Sequence, residues 1–256
     1  MATSDKKKRA AFRFYEELND FLPKAKKKTA FTYHFMGSPS IKDAIEALGV
    51  PHTEIDLILV NGKSERFTYH LRDGDRVAVY PVFESLDISS VTHLRKEPLR
   101  RPKYILDVHL GKLAKKLRML GFDTLYENHY RDEEIVEKAN AEKRVVLTRD
   151  IGILKVKEVE RGYWIRSQSP KKQLKEVLEH FDLYSKIHPF RRCMLCNGII
   201  EQVEKSDILS EIPPKTKEYY NEFFRCKSCR NIYWKGSHYY KMINFLKSLN
   251  IEEQLK

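Results

Sequence analysis

The sequence predicts an α/β protein in three parts. An α+β segment comes first, a parallel sheet flanked by helices follows, and a small metal-clamped module ends the chain. Three observations carry this reading. Strand-like runs surround one helix-periodic stretch in the first segment. Short apolar runs then alternate with amphipathic helical patterns, the order that builds parallel sheets. Finally, all four cysteines of the chain fall in two hooks, Cys193-Met-Leu-Cys196 and Cys226-Lys-Ser-Cys229.

The first segment spans residues 10–92. Residues 11–15 and 31–35 are aromatic-rich strand candidates, separated by the basic stretch 24–28. Ile41, Ala44, Ile45 and Leu48 repeat at helical spacing after Ser40, and Gly49 ends that helix. Residues 57–60 read as a buried strand, and Asn61-Gly62 is a tight-turn signal. Asp73-Gly74-Asp75 turns the chain into a last strand at residues 76–81. The order β, β, α, β, short β, β, with the string LILVNGK…LRDGDRVAVYP, resembles the β-grasp (ubiquitin-like) sulfur carriers. Those carriers act through a free C-terminal Gly-Gly. Here the chain runs on through Phe83-Glu84-Ser85, so the resemblance implies an interaction or accessory role instead.

Residues 93–102 are charged and bracketed by Pro98 and Pro102, and they read as a linker. The second segment, 103–187, begins with a strand ending at Asp107. Leu110, Leu113, Ala114, Leu117 and Leu120 then line one helical face, closed by Gly121. Strands are predicted at 124–126, 145–147 and 163–165, with a helix marked by Ile135, Val136 and Ala139. Ser169-Pro170 opens a final helix with Leu174, Val177, Leu178 and Phe181 inward.

Sites in open α/β sheets lie beyond the carboxyl ends of the strands. Asp107 and Asp150 both occupy such positions, and adjacent strands would bring them to one crevice. Carboxylates gathered there form a hard-oxygen site suited to Mg²⁺ or Mn²⁺. Asp132 opens a helix, where an acidic residue serves either a site or the helix dipole. His109 reads as a phosphate contact, a metal ligand or a helix-start partner. Asp123, at the amino end of its strand, reads as structural.

The third segment, 188–250, carries the cysteine hooks. Two Cys-x2-Cys pairs fill a tetrahedral Zn²⁺ site, with Cys193, Cys196, Cys226 and Cys229 as ligands. Four thiolates leave no open position for chemistry, so this metal is structural. The hooks are 29 residues apart, longer than a simple ribbon needs, and a short helix around residues 219–223 is expected in the insertion. Paired hooks of this kind point to a reducing compartment, with the cytoplasm as the default.

A net charge of +12 favours a polyanionic partner, nucleic acid foremost. Lys112, Lys115 and Lys116 lie opposite the leucine stripe, with Arg118 near its edge and Arg149 at the strand rim. Lys235 follows the last hook beside Trp234, whose ring suits packing of a small core. These six cations are the candidate RNA contacts. No apolar run reaches the roughly 20 residues of a membrane helix, and a membrane partner is not expected.

The strings DVHLGKLAKKLRMLGFDTLYEN, DEEIVEKANAEKRVVLTRDIGILK, RCMLCNG and FFRCKSCRNIYWKGSHY together resemble the Mut7-C domain. That resemblance implies a PIN-like RNase domain with a parallel sheet and flanking helices, a zinc ribbon after it and a ubiquitin-like domain before it. It implies metal-dependent RNA cleavage by Asp107, Asp132 and Asp150. PIN nucleases commonly add a fourth acidic residue after a later strand, and Arg166-Ser167-Gln168-Ser169 departs from that pattern. The alternative is a catalytically weak RNA-binding protein, or an adaptor recruiting a protein through the ubiquitin-like domain.

Overall fold

The structure is a computed structural model and describes residues 7–82, 92, 94 and 102–249. The chain divides into two units, Met1–Arg101 with Asp150–Trp164, and Pro102–Arg149 with Ile165–Lys256. The run from Phe83 to Ser85 and all but residue 94 and Pro102 of the expected 93–102 linker lie outside the described residues.

The first unit opens with β1 (Lys8–Phe14), β2 (Phe31–Phe35), α1 (Ile41–Ala47), β3 (Ile55–Val60), β4 (Lys63–Ser64) and β5 (Arg76–Pro81). Its mixed sheet runs β2-β1-β5-β3-β4, with β1 and β5 parallel at the centre and antiparallel strands outside them. β1 starts three residues earlier than its aromatic run suggests, because Lys8 already pairs with Phe35 of β2. Period-two alternation buries Ala10, Phe12 and Phe14 on β1 and Val77 and Val79 on β5. Against that face α1 lays Ile41, Ala44 and Ile45, its first turn capped by Ser40 Oγ accepting from the Asp43 N–H at 3.1 Å. Asn61 and Gly62 take positive φ values of 52° and 84°, as a two-residue hairpin turn requires.

The second unit starts with β6 (Tyr104–Leu106), α2 (Gly111–Met119), β7 (Thr124–Leu125), α3 (Asp132–Glu142) and β8 (Val145–Thr148). β6 lies between β7 and β8, parallel to both, with Leu106 opposite Leu147. Buried on both faces, these strands read as unbroken apolar runs. The chain then contributes α4 (Ile151–Leu154) and β9 (Gly162–Trp164) to the first unit. There a polar trio in the turn before β3 receives them. The Trp164 N–H donates to Glu54 Oε1 at 2.6 Å, Thr53 Oγ1 donates to the Leu154 carbonyl at 3.3 Å, and His52 Nε2 lies 3.0 Å from the Val159 carbonyl. All three side chains are buried, so these bonds discharge what would otherwise be a costly burial.

Returning to the second unit, α5 (Pro170–His180) carries Pro170 in its first turn and buries Leu174, Val177 and Leu178. The C-terminal part comprises β10 (Ile200–Val203), α6 (Pro214–Tyr219), β11 (Phe223–Cys226), β12 (Ile232–Trp234) and α7 (Ser237–Lys247). The strands form an antiparallel sheet in the order β10-β11-β12. The insertion helix lies earlier than residues 219–223. Pro213-Pro214 starts it, and Phe223 already belongs to β11.

Candidate functional site

Asp107 directly follows β6 and is buried, with 5 % of its surface exposed. Because β6 and β8 are neighbours in register, its carboxylate meets the strand end opposite. Oδ2 accepts from Thr148 Oγ1 at 2.5 Å and from the Arg149 N–H at 2.8 Å. Oδ1 accepts from the His109 N–H at 2.8 Å, which caps the turn leading into α2. The His109 ring is exposed, with Nδ1 3.5 Å from the same oxygen. A carboxylate offers about four lone-pair sites. Three firm bonds hold this one in place and leave acceptor capacity for a ligand.

Asp132 is the exposed first residue of α3, where it complements the helix dipole. Asp150 belongs to the first unit and caps α4, its Oδ1 accepting from the Gly152 N–H at 2.7 Å. The Arg166 to Ser169 stretch supplies no carboxylate of its own, and a helix residue bonds its backbone. Glu176 of α5 accepts from the Arg166 and Ser167 N–H groups at 2.8 and 2.9 Å.

The four cysteines are all free thiols, and their Sγ atoms lie within 4.8 Å of one another. Among the described residues they are the one group of three or more His, Cys, Asp or Glu side chains so gathered. Cys193 Sγ is 3.6 Å from Cys229 Sγ, and Cys196 Sγ is 3.4 Å from Cys226 Sγ. A tetrahedral ion with 2.3 Å bonds to sulfur needs about 3.8 Å between thiolates. The two hooks are built alike. The Asn197 and Arg230 N–H groups return to the Cys193 and Cys226 carbonyls at 2.9 and 3.1 Å, and both residues adopt left-handed φ near +65°. Gly198 has no room for a side chain, since a Cβ would stand 2.7 Å from Cys226 Sγ. Burial pushes the Cys193 thiol up, but a hydrogen bond from Tyr233 Oη at 3.0 Å and the Cys196 and Leu195 N–H groups outweigh it and hold it at about 7. Burial and the neighbouring thiols push Cys229 up to about 12. A shared cation removes that mutual repulsion, so the donor set fits a four-thiolate metal centre.

Comparison with family models matches residues 102–246 to the Mut7-C RNase domain and residues 7–87 to the Mut7-C ubiquitin domain. The chain belongs to the Mut7-C family. No curated protein and no solved structure matched it. The Mut7-C RNase match runs without a break through both cysteine hooks.

Within this Mut7-C unit a buried polar network joins the parallel sheet to the ribbon. Arg118, expected on a cationic surface, is instead 2 % exposed. Its guanidinium donates to the carbonyls of Thr124 (2.8 Å) and Tyr126 (3.2 Å) near β7, and of Leu195 (2.7 Å) and Met194 (3.3 Å) inside the first hook. It is therefore not among the surface cations that could meet RNA. Asn197 accepts from the Thr124 N–H at 3.0 Å and donates to Asp123 Oδ1 at 2.8 Å. Asp123 also receives Arg144 at 2.7 Å and Arg192 at 3.0 Å.

Burial raises the Asp123 carboxyl, yet the bonds from Arg144 and Asn197 and the Arg192 charge prevail and hold it below the ordinary carboxylate range. An unfolded Asp takes up its proton near pH 3.9, about the usual value. The folded group does so only at lower pH, so its stabilisation is complete above about pH 4 and is lost as pH falls through the folded value. Melting temperatures of wild type and Asp123→Asn are expected to differ by several degrees at pH 7 and to draw together as pH falls below about 4. A constant gap over that range would contradict this role.

The remaining candidate cations in Mut7-C differ in availability. Lys112 and Lys115 are exposed on α2. Lys116 rests over the Phe245 ring, its Nζ 3.5 Å from the centroid, and burial lowers its pKa. Lys235 is ion-paired with Glu222. Arg149 has an exposed side chain, while its backbone N–H holds Asp107. Among the described residues no helix is long and apolar enough to cross a membrane.

Proposed function

We propose that this protein is a divalent-metal-dependent ribonuclease that hydrolyses RNA phosphodiester bonds, with a structural zinc in its ribbon. The observation that carries the reading is Asp107, a buried strand-end carboxylate clamped by Thr148 and Arg149 inside a Mut7-C RNase domain. Asp107 would hold a Mg²⁺ or Mn²⁺ ion, and Asp132 and Asp150 are the further acidic residues that the Mut7-C resemblance implies. Hard oxygen donors suit those ions. Such an ion, when bound, polarises a water and offsets charge on the leaving oxygen. The chain's own contribution is positional. Thr148 and two backbone N–H groups fix the Asp107 carboxylate before substrate arrives. Lys112 and Lys115, exposed on the helix that follows, hold backbone phosphates, and Arg149 adds charge at the rim. Cys193, Cys196, Cys226 and Cys229 hold the zinc, which keeps the ribbon folded and leaves catalysis to the carboxylates.

The test is cleavage of labelled RNA in Mn²⁺ by wild type and by Asp107→Asn/Asp150→Asn. The double variant is expected to lose at least 100-fold in rate, roughly the effect of removing charge stabilisation at a hydrolytic centre. Asp107→Asn also turns an amide N–H toward donors, so a loss of about 1–3 kcal/mol in stability accompanies it. Rates are therefore compared at a temperature where both proteins are folded. Wild type that binds RNA but cleaves it no faster than the double variant would leave an RNA-binding or adaptor protein in place of a nuclease.

A further inference from the structure

The two faces of the ribbon sheet are used differently. Val203, Phe223, Ile232 and Trp234 share one face and pack with Ile208 and Ile212 of the insertion, closing a small core. The opposite face carries Gln202, Phe224 and Tyr233, which stand directly across from one another on β10, β11 and β12. Phe224 and Tyr233 are only half-buried, and Gln202 is exposed. A cavity of about 320 Å³ opens on this second face, walled also by Phe190, Tyr239 and Met242. That volume lies at the lower end of small-ligand pockets, roughly 300–1,000 Å³.

We infer that this cavity is a nucleobase pocket, which receives one unpaired base of a single-stranded RNA. The inference rests on RNA being the substrate class proposed above. Aromatic rings on an open sheet face stack bases of any identity. The rim supplies the complementary charge for the adjoining phosphates. Arg191 is exposed there, in a chain of net charge +12. Gln202 offers both a donor and an acceptor to a base edge. The platform is also fixed in place. Tyr233 Oη is held 3.0 Å from Cys193 Sγ, so the metal centre orients the ring that the base would meet. A protein side chain from a second copy is the competing occupant. The exposed Arg191 and the net charge of +12 favour the base, since two copies of so basic a chain repel each other while a polyanion is attracted.

The test uses the zinc-loaded full chain without added Mg²⁺ or Mn²⁺, and fluorescence anisotropy with a labelled single-stranded oligoribonucleotide and its duplex. Phe224→Leu keeps apolar bulk and removes the ring, and Tyr239→Leu does so from a separate element. Each is expected to weaken single-strand binding about tenfold, as loss of one stacked base does. Duplex binding, zinc content and melting temperature are expected to stay unchanged. Single-strand binding equal to wild type in both variants overturns the pocket while leaving the ribonuclease reading intact if cleavage persists. Wild type that binds no RNA overturns both readings. A concentration-dependent molecular mass that Phe224→Leu reduces would assign the cavity to self-association instead and overturn the inference.

Discussion

Cys196→Ser/Cys229→Ser is expected to bring zinc content from about one ion per chain to near zero, and to unfold the ribbon. One thiolate is lost from each hook, so neither can close the tetrahedron alone. Structural zinc contributes roughly 10–16 kcal/mol to folding in isolated zinc-finger peptides. The ribbon has little else to replace it. Its core rests on the buried Ile208, Ile212 and Phe223, with half-buried neighbours around them. A cluster this small cannot hold its strands without a staple. Metal analysis by mass spectrometry and near-ultraviolet dichroism of Trp234 and the ribbon tyrosines read the outcome. Chelation of wild type should give the same spectral change, and zinc should reverse it. A variant with full zinc content and wild-type dichroism would overturn the four-thiolate assignment.

Arg118→Met is expected to lower the melting temperature by about 10 °C while leaving the RNA affinity of the folded protein unchanged. Four carbonyls accept from this guanidinium, and each buried acceptor left unpaired costs about 1–3 kcal/mol, less where water replaces the donor. A net loss near 3–4 kcal/mol is a reasonable sum. At roughly 2–4 °C per kcal/mol for a unit of about 150 residues, it gives the shift stated. Arg118→Lys should recover little, since a single ammonium cannot reach carbonyls on both β7 and the hook. The measurement is a thermal melt paired with RNA titration. Lost RNA affinity with an unmoved melting temperature would restore Arg118 to the binding surface.

Arg118 also shows where reading the sequence stops. Period-two runs revealed strands of the first unit, unbroken apolar runs those of the second, and the leucine stripe revealed α2, because all three patterns are local. The strand-end position of Asp107 was legible for the same reason. Arg118 stands one turn after Ala114, on the flank of the buried stripe, and that spacing was the available signal against a solvated position. What it bonds was hidden, since Leu195 is 77 residues away. Likewise Asp123 could be set aside as structural from its place at a strand's amino end. Its partner Asn197 lies 74 residues on, and nothing local announces it. Glu176 escaped because a helix supplies the carboxylate to a loop ten residues before it. The α7 helix was missed as well, its half-buried face lacking the leucine repeat that marks α2.

The polar trio before β3 bears on how the chain comes off the ribosome. His52, Thr53 and Glu54 are made about a hundred residues before Leu154, Val159 and Trp164, which complete their hydrogen bonds. Synthesis proceeds at about 5–20 residues per second, and amino-terminal domains generally fold as they emerge. For several seconds the nascent β-grasp sheet must therefore wait with this corner hydrated and unfinished. The same dependence holds for dissection. A fragment beginning near residue 102 retains the carboxylates but leaves residues 150–164 without the partners that order them. Cutting the protein at its apparent seam would then disturb the Asp150 end of the chain, so a loss of activity in that fragment would not by itself assign a role to the ubiquitin-like domain.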